Sequence, residues 1–143
     1  MKGENYIKLE FPAKSANEAL ARAAVAALCA QLDPTLDELG DVKTAVSEAV
    51  TNAVVHAYPD TVGTVWLRGR IFNGEYLELV VRDKGRGISD VEQARQPLYT
   101  TGGDERSGMG FTIMESFMDK LSVRSRPGGG TTVTMLRRIR KKR

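Results

Sequence analysis

Apolar and polar residues alternate along residues 6–11, with Ile7, Leu9 and Phe11 set against Lys8 and Glu10. A period of two predicts a strand with one buried face, and Pro12 ends it. Ser15 with Glu18 three positions on reads as a capping box, opening an alanine-rich helix that runs to about Gln31. Asp33, Pro34 and Thr35 break the chain. A longer helix is predicted from about Thr35 to Ala57, weakened by Gly40 and stopped by Pro59. Residues 64–72 and 75–83 are β-rich and joined by Asn73-Gly74, a strong short-range hairpin signal.

Residues 89–95 read as a short helix. Residues 96–107 read as a polar, mobile loop carrying Gly102 and Gly103. A helix follows over residues 110–120, with Ile113, Met114, Phe117 and Met118 at helical spacing. Two closing strands, 121–126 and 131–136, are turned by Pro127 and Gly128 to Gly130. The order β-α-α-β-β-(α)-loop-α-β-β implies a two-layer α/β sandwich. Its helices cover one face of a mixed, mainly antiparallel sheet.

Composition narrows the class. The chain has 143 residues, 41% hydrophobic and 27% charged, which suits one domain with a real core. We assign residues 1–136 to that domain and 137–143 to a basic tail. Six of the last seven residues are Lys or Arg. Setting them aside leaves 15 basic against 18 acidic residues, so the body is about −3 although the chain is +3. The tail reads as a solvated terminus, because a short basic run has no specificity by itself. No apolar run approaches the ~20 residues of a membrane span, and the N-terminus lacks a signal-peptide core. Cys29 is the single cysteine, placed in an alanine-rich stretch where a buried structural thiol is expected. These features point to a cytoplasmic protein without a membrane or nucleic-acid partner.

Three islands carry candidate chemistry. On the longer predicted helix, Val42, Val46, Ala49 and Ala53 form the apolar stripe. Glu48 and Asn52 are four apart, so they stack one turn above the other at the border of that stripe. Glu48 is suited to take a proton from a hydroxyl or water. Asn52 offers a neutral oxygen to Mg²⁺, which prefers oxygen ligands alongside substrate phosphates. An ordinary polar helix flank would look the same from this pair alone.

Asp83 ends the strand that carries Leu77, Leu79 and Val81, and alternation points it to their face, the one the helices should cover. A buried acid needs donors, from a backbone N–H or an adenine amino group. Gly85 and Gly87 just beyond permit a sharp turn or close approach of a ring. A plain turn after a strand fits these residues equally. Gly108, Met109 and Gly110 open a helix whose N-terminal N–H groups favour anions, and Arg106 stands where it could meet a terminal phosphate. No GxxxxGK[ST] occurs, so a P-loop is excluded, and the glycines do not complete a dinucleotide fingerprint. His56 is the single histidine and reads as a packing or hydrogen-bonding residue, leaving no zinc set.

Taken together, the islands resemble the N, G1 and G2 boxes of the GHKL (Bergerat-fold) ATPases. Residues 44–56, 92–101 and 105–115 look like the bacterial anti-sigma serine kinases within that group. The resemblance covers nearly the whole chain and implies ATP and Mg²⁺ as cofactors. It implies Glu48 as general base, Asn52 as Mg²⁺ ligand, and Asp83 on the adenine amino group with Thr131 helping through water. Gly85, Gly87, Thr101, Ser107, Gly108, Met109 and Gly110 would line the nucleotide, and Arg106 would reach the γ-phosphate. Residues 87–108 would form the ATP lid. Residues 17–22 resemble the family segment that contacts protein partners, which nominates Glu18 and Arg22.

The implied activity has two branches. With ATP, a homodimer would hold a sporulation sigma factor of the sigma F type inactive. With ATP and an anti-anti-sigma partner, it would phosphorylate a serine on that partner. The main alternative is a nucleotide-gated binding module without phosphotransfer, which the presence of Glu48 opposes. A histidine-kinase ATPase part would need a phosphoacceptor histidine on its own helix, and His56 lies inside the proposed active-site helix. A nucleic-acid binder would need its charge outside the tail.

Overall fold

The computed structural model describes residues 5–88 and 110–140. The strand β1 (Asn5–Pro12) is followed by α1 (Ala16–Ala30), α2 (Leu36–Asn52) and a π-helical turn (Ala53–Ala57). Then come β2 (Thr64–Phe72), β3 (Tyr76–Asp83), α3 (Gly110–Phe117), β4 (Lys120–Ser125) and β5 (Thr131–Arg138). The strands form one sheet in the order β1-β2-β3-β5-β4, and all four pairings are antiparallel. The expected two-layer α/β sandwich is therefore present.

Alternation places Leu77, Leu79 and Val81 of β3 inward, beside Val65, Leu67 and Ile71 of β2 and Val133 and Met135 of β5. Against them pack Ala21, Val25 and Leu28 of α1, and Val42, Val46, Ala49 and Val50 of α2. The stripe read from the sequence of α2 is thus buried. The opposite face is polar. There Arg82 and Lys84 lie over the Trp66 ring at 4.9 and 5.1 Å, and the indole N–H donates to Glu10. Cys29 is buried and unpaired in any disulfide, and burial, with the Glu38 charge, pushes its pKa up to about 11. It behaves as a small apolar residue.

Three sequence expectations are corrected by the packing. Ser15 is itself helical and makes no side-chain cap; the Glu18 carboxylate turns instead to Arg22 and Ser47. The capping box belongs to α2. There Thr35 Oγ1 accepts from Glu38 N at 3.1 Å while Thr35 N–H donates to Glu38 Oε1 at 3.0 Å. The single helix expected to reach Ala57 is α-helical only to Asn52 and widens to a π turn beyond it. Helix α3 stops at Phe117, and Lys120 already belongs to β4.

The tail is shorter than composition suggests. Strand β5 continues to Arg138, and Ile139 is buried at 1% exposure. Arg137 donates to Asp41 Oδ2 at 3.0 Å and to the Phe117 carbonyl. A basic run read by charge alone conceals the alternation of Arg137, Arg138, Ile139 and Arg140, in which the apolar residue goes inward. The hairpin at Asn73-Gly74 is as expected, with positive φ at both residues (56° and 69°). The expectations for residues 89–107 lie outside the described residues.

Candidate active site

The apolar face of the sheet turns polar at its last rung. Phe11, Val65, Asp83, Thr131 and Ser125 are successive register partners across β1, β2, β3, β5 and β4. Directly paired residues point to the same side of a sheet. Asp83, Thr131 and Ser125 therefore project as a polar row from the face that the helices cover. One rung deeper, the corresponding residues are Val81, Val133 and Val123.

Asp83 is 7% exposed. Its Oδ1 accepts from Gly85 N at 2.9 Å and from Thr131 N at 3.2 Å. Its Oδ2 has no hydrogen-bond partner among the described residues. Desolvation raises the carboxyl pKa, and the two N–H donors only partly oppose it. A half-satisfied buried carboxylate is costly to a fold. One oxygen is fixed by the backbone and the other remains available to a ligand donor. An exocyclic amino group on a flat base has the right chemistry.

Small residues bring the helices to this end of the sheet. A Cβ on Gly85 would lie 2.1 Å from the Ala57 carbonyl oxygen, so only glycine lets the π turn meet the loop after β3. The same carbonyl accepts from Arg86 N at 2.9 Å. Gly87 adopts φ +76°, and a Cβ there would strike the Arg126 carbonyl oxygen at 1.9 Å. Tyr58, just past the π turn, donates its hydroxyl to the Thr64 carbonyl at 2.7 Å and accepts from Lys84 N at 2.8 Å. It thereby ties the end of the helix to the mouths of β2 and β3.

Asn52 is half-buried on the last turn of α2, and Glu48 is half-buried one turn before it. Gly110, the first residue of α3, abuts Asn52. A Cβ on Gly110 would come within 3.1 Å of both Oδ1 and Nδ2. The side chain is therefore next to the N-terminal end of a helix, where N–H groups are unpaired by the helix itself. Of the predicted nucleotide residues, Asn52, Asp83, Gly85, Gly87, Gly110 and Thr131 are placed in the junctions among α2, α3 and the sheet end. Thr101, Arg106, Ser107, Gly108 and Met109 lie outside the described residues.

Glu18 and Arg22 sit apart from Asp83, on α1. Arg22 Nη1 is 3.0 Å from Glu18 Oε2, and the Ser47 hydroxyl donates to the same oxygen at 2.5 Å. Ser47 precedes Glu48, so this network joins the outer helix to the turn that carries the proposed base. Sequence reasoning missed Ser47, Tyr58 and Ser125. Only Ser125 left a signal: it ends a strand at the polar rung, as Asp83 does.

The histidine kinase-like ATPase domain family matches residues 11–137. Over 144 residues the chain is 51% identical to an anti-sigma F factor of Caldanaerobacter subterraneus subsp. tengcongensis, covering 100% of both chains. The chain belongs to the anti-sigma F factor family of histidine kinase-like ATPase domains. Another relative in this family, from Halalkalibacterium halodurans, is 55% identical over 141 residues, covering 96% of this chain and 94% of the relative. Among solved structures, the RsbU and RsbW domains of a Mycobacterium tuberculosis protein align with a TM-score of 0.69 at 20% identity. That match covers 94% of this chain and 32% of the longer one, and it supports the fold. Membership in an ATPase-domain family agrees with the buried acid and glycine-lined junctions of the site. Among the described residues, no helix is long and apolar enough to cross a membrane.

Proposed function

We propose that this chain is an ATP-dependent anti-sigma factor and protein serine kinase. In this reading it holds a sporulation sigma factor of the sigma F type and phosphorylates a serine on an anti-anti-sigma partner. The observation that carries the nucleotide assignment is Asp83, buried with one oxygen satisfied by backbone and the other unoccupied by any described donor. The sigma-factor assignment rests on the anti-sigma F factor name of relatives about half identical over the full length.

The donor set fits ATP with Mg²⁺. Asp83 would accept from the adenine amino group. Asn52 would give one neutral oxygen to Mg²⁺, which suits an ion that takes few protein ligands and retains substrate phosphates and water. Bound ATP would supply the phosphoryl group, with Mg²⁺ balancing its charge. Glu48 would hold the partner serine hydroxyl and take its proton. Thr101, Arg106, Ser107, Gly108 and Met109 complete the proposed phosphate side.

Arg22 and Glu18 form the proposed partner surface. Glu18 already balances Arg22, and a partner carboxylate could take over that role at little electrostatic cost. We further propose that the protein works as a homodimer.

Incubation of the purified chain with Mg²⁺, labelled ATP and a candidate anti-anti-sigma protein tests the reading. Transfer of label to a serine of that protein is expected, together with ATP-dependent retention of the sigma factor. Retention without transfer would leave nucleotide-gated binding alone. Absence of both retention and transfer would defeat the proposal.

A further inference from the structure

Ser125 is at the far end of the polar rung and makes three contacts with one hydroxyl. Its Oγ is 2.7 Å from Ile88 N, 2.9 Å from the Gly130 carbonyl and 2.8 Å from Thr131 Oγ1. A hydroxyl has one proton and two lone pairs. A backbone N–H can only donate, so Ser125 accepts from Ile88. A carbonyl can only accept, so Ser125 donates its single proton to Gly130. Its contact with Thr131 must then be an acceptance, and the Thr131 proton is used on Ser125. This is the one assignment in which all three contacts are hydrogen bonds.

The consequence lies one residue along the rung. Thr131 Oγ1 retains lone pairs but has no proton for the cleft. Beside it, Asp83 Oδ2 is also an acceptor, because the nearby N–H groups of Gly85 and Thr131 are both spent on Oδ1. The described base-reading end of the sheet therefore presents acceptors. At position 6 an amino purine offers N–H donors to such an edge, whereas a 6-oxo purine places a carbonyl there, which meets lone pairs.

Resting on the nucleotide reading above, we propose that Ser125 is a specificity-determining positioning residue. By taking the Thr131 proton it makes this edge all-acceptor and so selects 6-amino over 6-oxo purine nucleotides. It also accepts from Ile88 N, so one hydroxyl sets the acceptor edge and holds Ile88 beside it.

The test compares ATP with inosine triphosphate, which has the 6-oxo group and lacks the 2-amino group of guanine. Direct binding to the full chain is measured for the unaltered protein, Ser125→Ala, Ser125→Cys and Ser125→Thr. The unaltered protein should prefer ATP. Ser125→Ala frees the Thr131 proton to donate to a 6-oxo group, and the ATP preference should fall on the order of tenfold, about one lost hydrogen bond. Ser125→Cys nearly preserves volume while removing a strong hydroxyl, so it should show the same fall if the alanine variant fails to fold. Ser125→Thr keeps the hydroxyl and should retain the preference. A general weakening of both nucleotides at constant ratio would reduce Ser125 to a structural role and overturn the proposal while leaving the nucleotide reading intact. Absence of ATP binding to the unaltered protein would overturn both.

Discussion

Arg140 donates its backbone N–H to Glu38 Oε2 at 2.7 Å, joining the end of the chain to the first turn of α2 across 102 positions. The same carboxylate completes the capping box with Thr35, so Glu38 serves two backbone donors from different parts of the fold. Burial alone would raise its pKa. Hydrogen bonds from Arg140 and Thr35, together with the Arg137 charge, outweigh burial and lower it.

Glu38→Gln should therefore destabilise the protein by about 1–3 kcal/mol at neutral pH, because one buried acceptor is exchanged for a donor. The native pKa lies below the unfolded value. The stabilisation is complete above the unfolded pKa and is lost as pH falls through the native one. Denaturant melts at several pH values should show the two proteins converging in acid. A constant gap down to low pH would deny the ionised carboxylate its role.

Asp83→Asn should separate stability from function. Burial raises the Asp83 pKa, so the charged form opposes folding at neutral pH. The favourable linkage is present below the unfolded pKa and disappears as pH rises through the native one. At pH 7 the amide should melt at the same temperature or higher, and that advantage should vanish as acid protonates Asp83. ATP binding should fall by at least about tenfold, since the amide can turn a donor toward the base amino group. Loss of stability at pH 7 with binding preserved would make Asp83 a structural acid.

Glu48→Gln keeps shape and removes the base. Phosphotransfer to the partner should drop ~10²–10⁴-fold, with ATP affinity and sigma-factor retention unchanged. An unaltered transfer rate, measured at saturating ATP, would remove Glu48 from the chemistry.

Asn52→Ala deletes the side-chain amide beside Gly110 without opening a core cavity, because Asn52 is only half-buried. ATP affinity in Mg²⁺ should weaken more than affinity measured with the metal chelated, and the melting temperature should move little. A large fall in melting temperature with unchanged Mg²⁺ dependence would assign Asn52 to packing.

Local pattern made much of the fold legible. Alternation marked β1, β-rich composition marked β2 and β3, the stripe from Val42 to Ala53 marked the buried side of α2, and Asn73-Gly74 marked a hairpin. Asp83 was legible as an inward acid because side-chain direction in a strand follows from counting. These are local properties, set by sterics within a few residues. The capping boxes show where local signals stop. Ser15 with Glu18 and Thr35 with Glu38 have the same spacing, yet only the second forms. Glu18 finds Arg22 and Ser47, and the latter is 29 positions away. The tail misled for the same reason, since the burial of Ile139 depends on the sheet and α2 meeting around it.

The sequence by itself determined the element order, the sheet-and-helix layering and the inward direction of Asp83. Each follows from the backbone periods and from the cost of exposing apolar faces. Only the tertiary structure decided what Asp83 meets. It placed Thr131, 48 positions on, at the same rung, and Ser125 beside it. It set Gly110 against Asn52 and the Ala57 carbonyl against Gly85. Donor and acceptor roles at this end of the sheet arise from contacts between distant segments, and a hydroxyl proton goes where its neighbours leave it room.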